Sequence, residues 1–172
     1  KLGIVGYGNI GRRVAEIARG FGMEILIAAR PEDSASVISH RVPINDLLRQ
    51  ADIVSLHCPL TPETRNLINQ RSLSLMKPTA FLINTARGAL IDETALIDAL
   101  GKNLISAAAL DVVTAEPPPL DHPIIRAAKT LDNLLVTPHT AWSAREARER
   151  LLDEVKENIG AFLRGERRNL VA

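Results

Sequence analysis

The sequence is poor in cysteine, in aromatic residues and in net charge. Cys58 is the one cysteine among 172 residues, which rules out an internal disulfide and suits a reducing cytosol. Aromatic side chains make up 3% of the chain, so we expect the Leu, Ile, Val and Ala core that is typical of parallel sheets covered by helices. The 21 Lys and Arg residues balance 20 Asp and Glu, which gives a net charge of +1 and predicts no binding to nucleic acid or anionic membranes.

Long apolar stretches are also missing. The apolar runs Ile25–Ala29, Ala80–Ile83 and Ala107–Leu110 are far shorter than the roughly 20 residues of a membrane span. A strand-like run begins directly at Leu2, so we expect no signal peptide and a cytoplasmic protein. The length and the 46% hydrophobic content fit one globular domain with its own core.

Short apolar runs alternate with helical patterns along the chain. Residues 9–21 follow helical spacing, Asn69 and Asp92 are predicted N-caps, and Ser143 with Glu146 forms a capping box before a long helix. This alternation predicts a Rossmann-type α/β fold, a doubly wound parallel sheet between two layers of helices. The predicted strands are Leu2–Val5, Ile25–Ala29, Ile53–His57, Ala80–Asn84, Ser106–Asp111 and Leu134–Thr137.

Two stretches interrupt the alternation. Residues 30–42 are polar and predicted to be loop, and residues 113–133 show no helix of any length. A connection that long inside a compact domain is often functional, the alternative being a solvated linker.

Residues 6–11 read Gly-Tyr-Gly-Asn-Ile-Gly, a G-x-G-x-x-G motif between the first strand and the first helix. Gly6 permits the tight turn, Gly8 lets the backbone approach a pyrophosphate, and Gly11 allows close packing of helix on strand. The helix N-terminus then faces the anion. In this context the motif predicts dinucleotide binding over 1–142, with 143–172 as a long C-terminal helix and tail.

The end of the second strand bears on the choice of cofactor. An acidic residue about 20 residues beyond the glycines would hold the ribose 2′-hydroxyl of NAD. Ala28 and Ala29 offer no carboxylate, whereas the guanidinium of Arg30 suits a 2′-phosphate. We therefore expect NADP to be favoured over NAD, although Glu32 folding back on to the ribose is the alternative.

The later strands end in residues that suit acid–base chemistry and carboxylate binding. Arg87 follows the fourth strand, Glu116 the fifth and His139 the sixth. Each alone is typical of a surface group. Because ligands bind outside the carboxyl ends of parallel strands, we expect the three to meet in one crevice.

The motifs at these strand ends together carry a resemblance. They comprise Gly6–Gly11, His57–Thr61, Asn84–Gly88, Leu110–Val112 with Glu116-Pro117, and Pro138-His139. On them the chain resembles, over essentially its whole length, the nucleotide-binding domain of the D-isomer-specific 2-hydroxyacid dehydrogenases. The nearest group is the hydroxypyruvate/glyoxylate reductases of glycerate dehydrogenase type.

The resemblance implies hydride transfer between a nicotinamide cofactor and a small 2-keto/2-hydroxy acid pair. His139 would exchange the proton with the substrate oxygen, and Glu116 would orient its imidazole and stabilise the charged form. Arg87 would bind the substrate carboxylate and polarise the keto oxygen. The residues expected at the cofactor, NADP or NAD, are Gly6, Gly8, Asn9, Ile10, Gly11, Arg30, His57, Cys58, Pro59, Thr64, Thr85, Ala86, Arg87, Asp111, His139 and Ala141.

The family also implies a second, substrate-binding domain made from segments before and after this one. We expect this chain to be an excised domain that binds cofactor, turns over poorly by itself and belongs to a homodimer. Formate dehydrogenase is disfavoured, because it would carry glutamine at Glu116. The alternative from another class is an NAD(H)-sensing binding protein of the C-terminal binding protein corepressor type, which keeps a similar Arg/Glu/His set.

Several polar residues receive no part in this site. His40 and His122 lie in polar stretches and are assigned no role, and Cys58 needs no role beyond that of a small buried apolar side chain. No set of His, Cys and Asp has metal-ligand spacing, so no metal site is expected.

Overall fold

The computed structural model of the chain describes residues 1–29 and 41–170. One parallel sheet of six strands is present, in the order β2-β1-β3-β4-β5-β6. The strands are β1 (Leu2–Val5), β2 (Ile25–Ile27), β3 (Ile53–Leu56), β4 (Phe81–Asn84), β5 (Ala107–Leu110) and β6 (Leu134–Val136). The predicted Rossmann-type fold is confirmed, and each strand lies within its predicted run.

The strand order reverses direction at β1. The chain places β2 on one side of β1 and β3 on the other, so the topological switch point lies between β1 and β3. Beyond β2, Val42 pairs with Ala28 in an isolated parallel bridge. In an open α/β sheet the switch point is where ligands bind.

Six helices accompany the sheet: α1 (Asn9–Gly20), α2 (Ile44–Gln50), α3 (Gln70–Leu73), α4 (Glu93–Gly101), α5 (Pro123–Ala127) and α6 (Arg145–Leu163) within the described residues. The predicted caps of α3 and α4 are confirmed, because the Asn69 side chain accepts from Arg71 and Ser72 amides and the Asp92 side chain from the Ala95 amide. A single turn of 3-10 helix, Gly88–Leu90, precedes α4.

Two helix predictions were wrong. The long helix α6 begins at Arg145 with Ala144 at its N-cap and no side-chain cap, so Ser143 and Glu146 form no capping box. Residues 113–133 do contain a helix, α5, which has Pro123 in its first turn and His122 at its N-cap. Proline suits the first turn of a helix, because the N–H that it lacks would have no partner there and its φ is already helical.

Helix α1 packs on the sheet through small residues rather than through its large apolar ones. Gly11, Ala15 and Ala18 are buried, whereas Ile17 and Phe21 are exposed, Phe21 to 81%. A Cβ on residue 11 would lie 2.2 Å from the Gly6 carbonyl oxygen. The helix therefore runs too close to the strand for a large side chain between them.

The core lies on both faces of the sheet. On one face, Leu2 and Ile4 of β1 pack with Ala15 and Ala18 of α1. The larger cluster includes Val54 and Leu82 of the central strands together with leucines of α2 and α4. Burial of one such Leu or Ile stabilises the fold by roughly 1.5–3 kcal/mol.

The chain divides into two compact units, Lys1–Pro138 and His139–Ala172. The first contains the whole sheet, and the second contains α6 and the residues that flank it. The large apolar side chains of α6, including Leu151, Val155 and Phe162, are exposed, whereas Ala161 is buried. Among residues 1–29 and 41–170, no helix combines the length and the apolarity needed to cross a bilayer.

Candidate functional site

The candidate site lies along the carboxyl edge of the sheet. Because all strands are parallel, the segments that follow β1, β3, β4 and β5 emerge at the same edge. These segments carry the predicted site residues of the first unit. Arg30 lies outside the described residues, and so do Glu32 and the other residues of 30–40.

The glycine turn after β1 is built on close backbone contacts. Gly6 has φ of +99°, and a Cβ there would lie 2.4 Å from the Cys58 backbone nitrogen. The turn after β1 thus packs backbone against backbone on the end of β3, at the switch point. The conformational freedom of glycine is required at Gly6, as the motif predicts.

The N-terminus of α1 is not capped by a side chain. Gly8 is the N-cap without a side-chain hydrogen bond, no acidic residue lies in the first turn, and Asn9 and Ile10 are exposed. A Cβ at Gly8 would meet no atom of the described residues within 4 Å. A glycine cradle over a helix N-terminus of this kind fits a pyrophosphate group.

The segment after β3 forms a partly buried wall. The Ser55 hydroxyl lies 2.9 Å from His57 Nε2, and burial lowers the pKa of His57, which keeps the imidazole neutral at neutral pH. Cys58 is half-buried and packs against the core as a small apolar side chain. This burial raises the pKa of its thiol, which therefore stays protonated.

The loop beyond this wall is closed by Thr64. Its hydroxyl donates to the Pro59 carbonyl oxygen at 2.8 Å and accepts from the Thr61 amide at 2.7 Å. The hydroxyl of this predicted cofactor residue therefore shapes the loop that carries Pro59, which is itself exposed.

Asn84 organises the loop that presents Arg87. It is fully buried at the end of β4, its Nδ2 donates to the Arg87 carbonyl oxygen at 2.9 Å, and its Oδ1 accepts from the Ala86 amide at 3.0 Å. Thr85 and Arg87 are exposed on this loop, and Arg87 Nη1 also donates to the Ala86 carbonyl oxygen. No separate role for Asn84 is predicted from the sequence, although an Asn at a strand end is a typical turn former.

Asp111 is buried where β5 ends and is held by the neighbouring strand. The hydroxyl of Thr137, just beyond β6, donates to Asp111 Oδ1 at 2.5 Å. A carboxylate in such a place is stabilised by a charge-assisted hydrogen bond. Thr137 is a second residue that the sequence analysis left without a role.

The turn of residues 113–117, here the Glu116 turn, packs against the loop of residues 85–88, here the Arg87 loop. The Val113 amide donates to Glu116 Oε1 at 3.0 Å, and the Glu116–Pro117 peptide bond is cis. A Cβ on Gly88 would lie 2.0 Å from the Val113 carbonyl carbon, so the two segments touch backbone to backbone. The structure therefore brings the segments of Arg87 and Glu116 together.

His139 and Ala141 belong to the second unit. His139 adopts φ of +53°, and the Trp142 indole nitrogen donates to its carbonyl oxygen at 2.8 Å. A left-handed conformation is uncommon in residues other than glycine and is often found at functional sites. Among the described non-glycine residues, Asn66, Asn103 and Asn169 also have a positive φ, and the role of His139 stays a prediction.

His122, for which no role is predicted, is buried beside Glu93. No cluster of metal-ligating side chains was found among the described residues.

The family model of the D-isomer specific 2-hydroxyacid dehydrogenase NAD binding domain matches residues 1–141. A glycerate dehydrogenase of Methylorubrum extorquens is 44% identical over 99% of this chain and 52% of its own length. A glyoxylate reductase of Korarchaeum cryptofilum is 45% identical over 96% of this chain and 49% of its own length. The chain thus spans about half the length of these curated relatives.

Solved structures agree with this match. An acyclic imino acid reductase in complex with NADPH and D-Arg has a TM-score of 0.86 and 40% identity, covering 99% of this chain and 53% of that one. D-lactate dehydrogenase with NAD+ from Lactobacillus jensenii has a TM-score of 0.86 and 32% identity, covering 99% and 55%. With the glycine cradle and the Rossmann-type sheet, these matches show that the chain belongs to the D-isomer-specific 2-hydroxyacid dehydrogenases, as their NAD-binding domain.

Proposed function

We propose that this chain is the cofactor-binding half of an oxidoreductase that acts on a small D-2-hydroxy acid/2-keto acid pair, with hydroxypyruvate or glyoxylate favoured. The observation that carries the proposal is the packing of the Arg87 loop on the Glu116 turn, at the sheet edge that also holds the open glycine cradle. The relatives named glycerate dehydrogenase and glyoxylate reductase support the choice of substrate.

The cofactor has a defined place in this proposal. Gly8, Asn9 and Ile10 hold the pyrophosphate at the N-terminus of α1, where backbone amides and the helix dipole favour an anion. Asp111 holds the nicotinamide end, with its carboxylate kept in place by Thr137. When bound, the nicotinamide cofactor supplies the hydride in reduction and accepts it in oxidation.

Further contacts with the cofactor are assigned along the same edge. Thr85 and Ala86 line the ribose–nicotinamide side, and Ala141 follows His139 on the nicotinamide side. His57, Cys58 and Pro59 form the wall of the adenine pocket. The neutral His57 and the protonated Cys58 thiol suit an uncharged purine.

Three side chains carry the chemistry on the substrate. His139 gives a proton to the substrate oxygen in reduction and takes it back in oxidation. Glu116 stabilises the charged imidazole, and Arg87 binds the substrate carboxylate through its planar guanidinium. The strained backbone of His139 supports its assignment.

The choice between NADP and NAD depends on Arg30 in this proposal, with NADP favoured. The expected test is the ratio of the dissociation constants for NADPH and NADH in the wild type and in Arg30→Ala. Loss of a 2′-phosphate contact should weaken NADPH binding about tenfold and leave NADH binding unchanged. Equal NADPH affinity in both proteins would refute the assignment.

We also propose that the whole protein has the domain organisation of its family. Residues 1–142 bind the dinucleotide, and 143–172 lead toward a substrate domain in a cytoplasmic homodimer. A closed cleft between two domains excludes water during hydride transfer. The chain alone should therefore bind NAD(P)H and show less than about 1% of the full-length rate, a prediction that full activity of the chain would contradict.

Oxidation of NAD(P)H by the full-length protein, followed with hydroxypyruvate, glyoxylate and other 2-keto acids, tests the reaction directly. The enzyme function is supported if the wild type turns over a 2-keto acid and Arg87→Gln loses activity because its KM for that acid is raised. Cofactor binding without turnover on any 2-keto acid supports the NAD(H)-sensing binding protein instead, which is the alternative with the same polar set.

A further inference from the structure

A second cluster of polar side chains lies beside the Glu116 turn. Glu93, the first residue of α4, accepts hydrogen bonds from the Thr114 amide at 2.7 Å (Oε1) and from the Thr114 hydroxyl at 3.0 Å (Oε2). His122 Nε2 lies 3.6 Å from Glu93 Oε2 and 3.4 Å from Thr114 Oγ1. The proposed reaction uses none of these groups.

Two of the cluster's three members are shielded from solvent although they are polar, whereas Thr114 is exposed. The side chains of His122 and Glu93 are 8% and 11% exposed. Among the described residues, His122 Nδ1 is the one buried side-chain nitrogen or oxygen without a hydrogen-bond partner. Burial of a carboxylate and an incompletely paired imidazole opposes folding, which indicates a task beyond stability.

The cluster holds the backbone that carries Glu116. Thr114 follows Val113, whose amide donates to Glu116 Oε1 at 3.0 Å. Gly88 packs against the same two residues, with the site of its missing Cβ 2.5 Å from the Thr114 nitrogen. The Glu93 carboxylate therefore fixes the turn at the point where it meets the loop of Arg87.

We propose that Glu93, with Thr114 and His122, is a positioning group that sets the Glu116 carboxylate relative to Arg87. The inference rests on the proposed function, in which Glu116 supports the acid–base histidine and Arg87 binds the substrate. Glu93 acts through Glu116, so its loss lowers kcat and leaves substrate and cofactor affinity intact.

Kinetics of the full-length protein with hydroxypyruvate and NAD(P)H test this role. Glu93→Ala is expected to lower kcat about tenfold with KM and the cofactor Kd within twofold, and Glu93→Gln, which keeps an acceptor for the Thr114 amide, to restore kcat to within threefold. Asp92→Ala is the matched control, because it removes the N-cap of the same helix without touching Thr114. Equal loss of kcat in Asp92→Ala and Glu93→Ala would overturn the proposal.

A double mutant shows whether Glu93 acts through Glu116. In the Glu116→Gln background, Glu93→Ala should change kcat by less than twofold. A further tenfold loss there would mean that Glu93 acts by another route and would overturn the positioning role. If Glu93→Ala does not fold, Thr114→Val removes one of the two hydrogen bonds and Thr114→Ser is its conservative partner.

Hydrogen exchange of the Val113 amide gives a readout that does not need turnover. We expect its exchange rate to rise at least tenfold in Glu93→Ala and to stay unchanged in Asp92→Ala; an unchanged rate in both would overturn the proposal.

If Glu116→Gln keeps the wild-type kcat, the proposed function of Glu116 fails and the exchange result alone decides the positioning role. If Glu116→Gln loses kcat but Glu93→Ala does not, the positioning role alone fails.

Discussion

The glycine turn at residues 6–11 and the acidic turn at residues 111–116 lie at the same sheet edge but are stabilised differently. The glycine turn depends on main-chain geometry, with a positive φ at Gly6 and an open cradle at Gly8. The acidic turn depends on other segments, namely on the side chains of Glu93 and Thr137 and on the backbone at Gly88. The first can be read from local sequence, whereas the second can be read only from the fold.

Substitutions of glycine at close backbone contacts should have the largest effects on stability in both regions. In Gly6→Ala and Gly88→Ala the new methyl group collides with backbone of a neighbouring segment, at 2.4 Å and 2.0 Å respectively. We expect each to lower the free energy of unfolding by about 3 kcal/mol or more, measured by urea denaturation. Gly101→Ala, where a Cβ meets nothing within 4 Å, is the control and should be neutral or slightly stabilising.

Gly8→Ala should separate ligand binding from stability in the glycine turn. Its methyl group enters open space, so the urea midpoint should not change. The same methyl group enters the proposed pyrophosphate site and should raise the Kd for NAD(P)H at least about tenfold, measured by titration of cofactor fluorescence. Unchanged affinity would show that the phosphates lie elsewhere.

Thr137→Val tests the side-chain support of the acidic turn. Loss of the hydrogen bond at Asp111 Oδ1 should leave this carboxylate less well placed for the nicotinamide end. We expect the cofactor Kd to rise about tenfold, in line with a hydrogen bond to a charged group. Thr137→Ser should retain wild-type affinity, and equal weakening in both variants would contradict a role for the hydroxyl.

The pH dependence of stability reports on the wall beside the glycine turn. Burial lowers the pKa of His57 in the folded chain below its ordinary value of 6.5. Just below pH 6.5, His57 is therefore protonated in the unfolded chain but still neutral in the folded chain. Stability from this group is complete above pH 6.5 and is lost as pH falls toward the folded pKa. Between pH 7.5 and 5.5, the free energy of unfolding should change less with pH in His57→Gln than in the wild type. The same slope in both proteins would rule His57 out as the cause.

The fold was predictable because its signals are local. Buried strands, the glycine motif and the caps at Asn69 and Asp92 depend on neighbouring residues alone. The positions of α5 and the start of α6 were not predictable in the same way, since a proline in the first turn and an alanine N-cap give weak or misleading signals.

The candidate site was predictable only in part. Its exposed residues, such as Arg87 and Glu116, lie within a few residues of the ends of predicted strands and could be proposed from sequence. Asn84, Thr137 and His122 act through partners distant in sequence or through loop backbone, which local patterns do not show. The large apolar side chains of Ile17 and Phe21 remain exposed, because close packing of α1 at Gly11 admits only small side chains.

The most direct test is the rate of NAD(P)H oxidation with hydroxypyruvate by the full-length protein, compared with that of His139→Asn. Removal of the acid–base group should lower kcat by about 10²–10⁴-fold. A variant that keeps its kcat within threefold of the wild type would contradict hydride transfer coupled to proton transfer by His139.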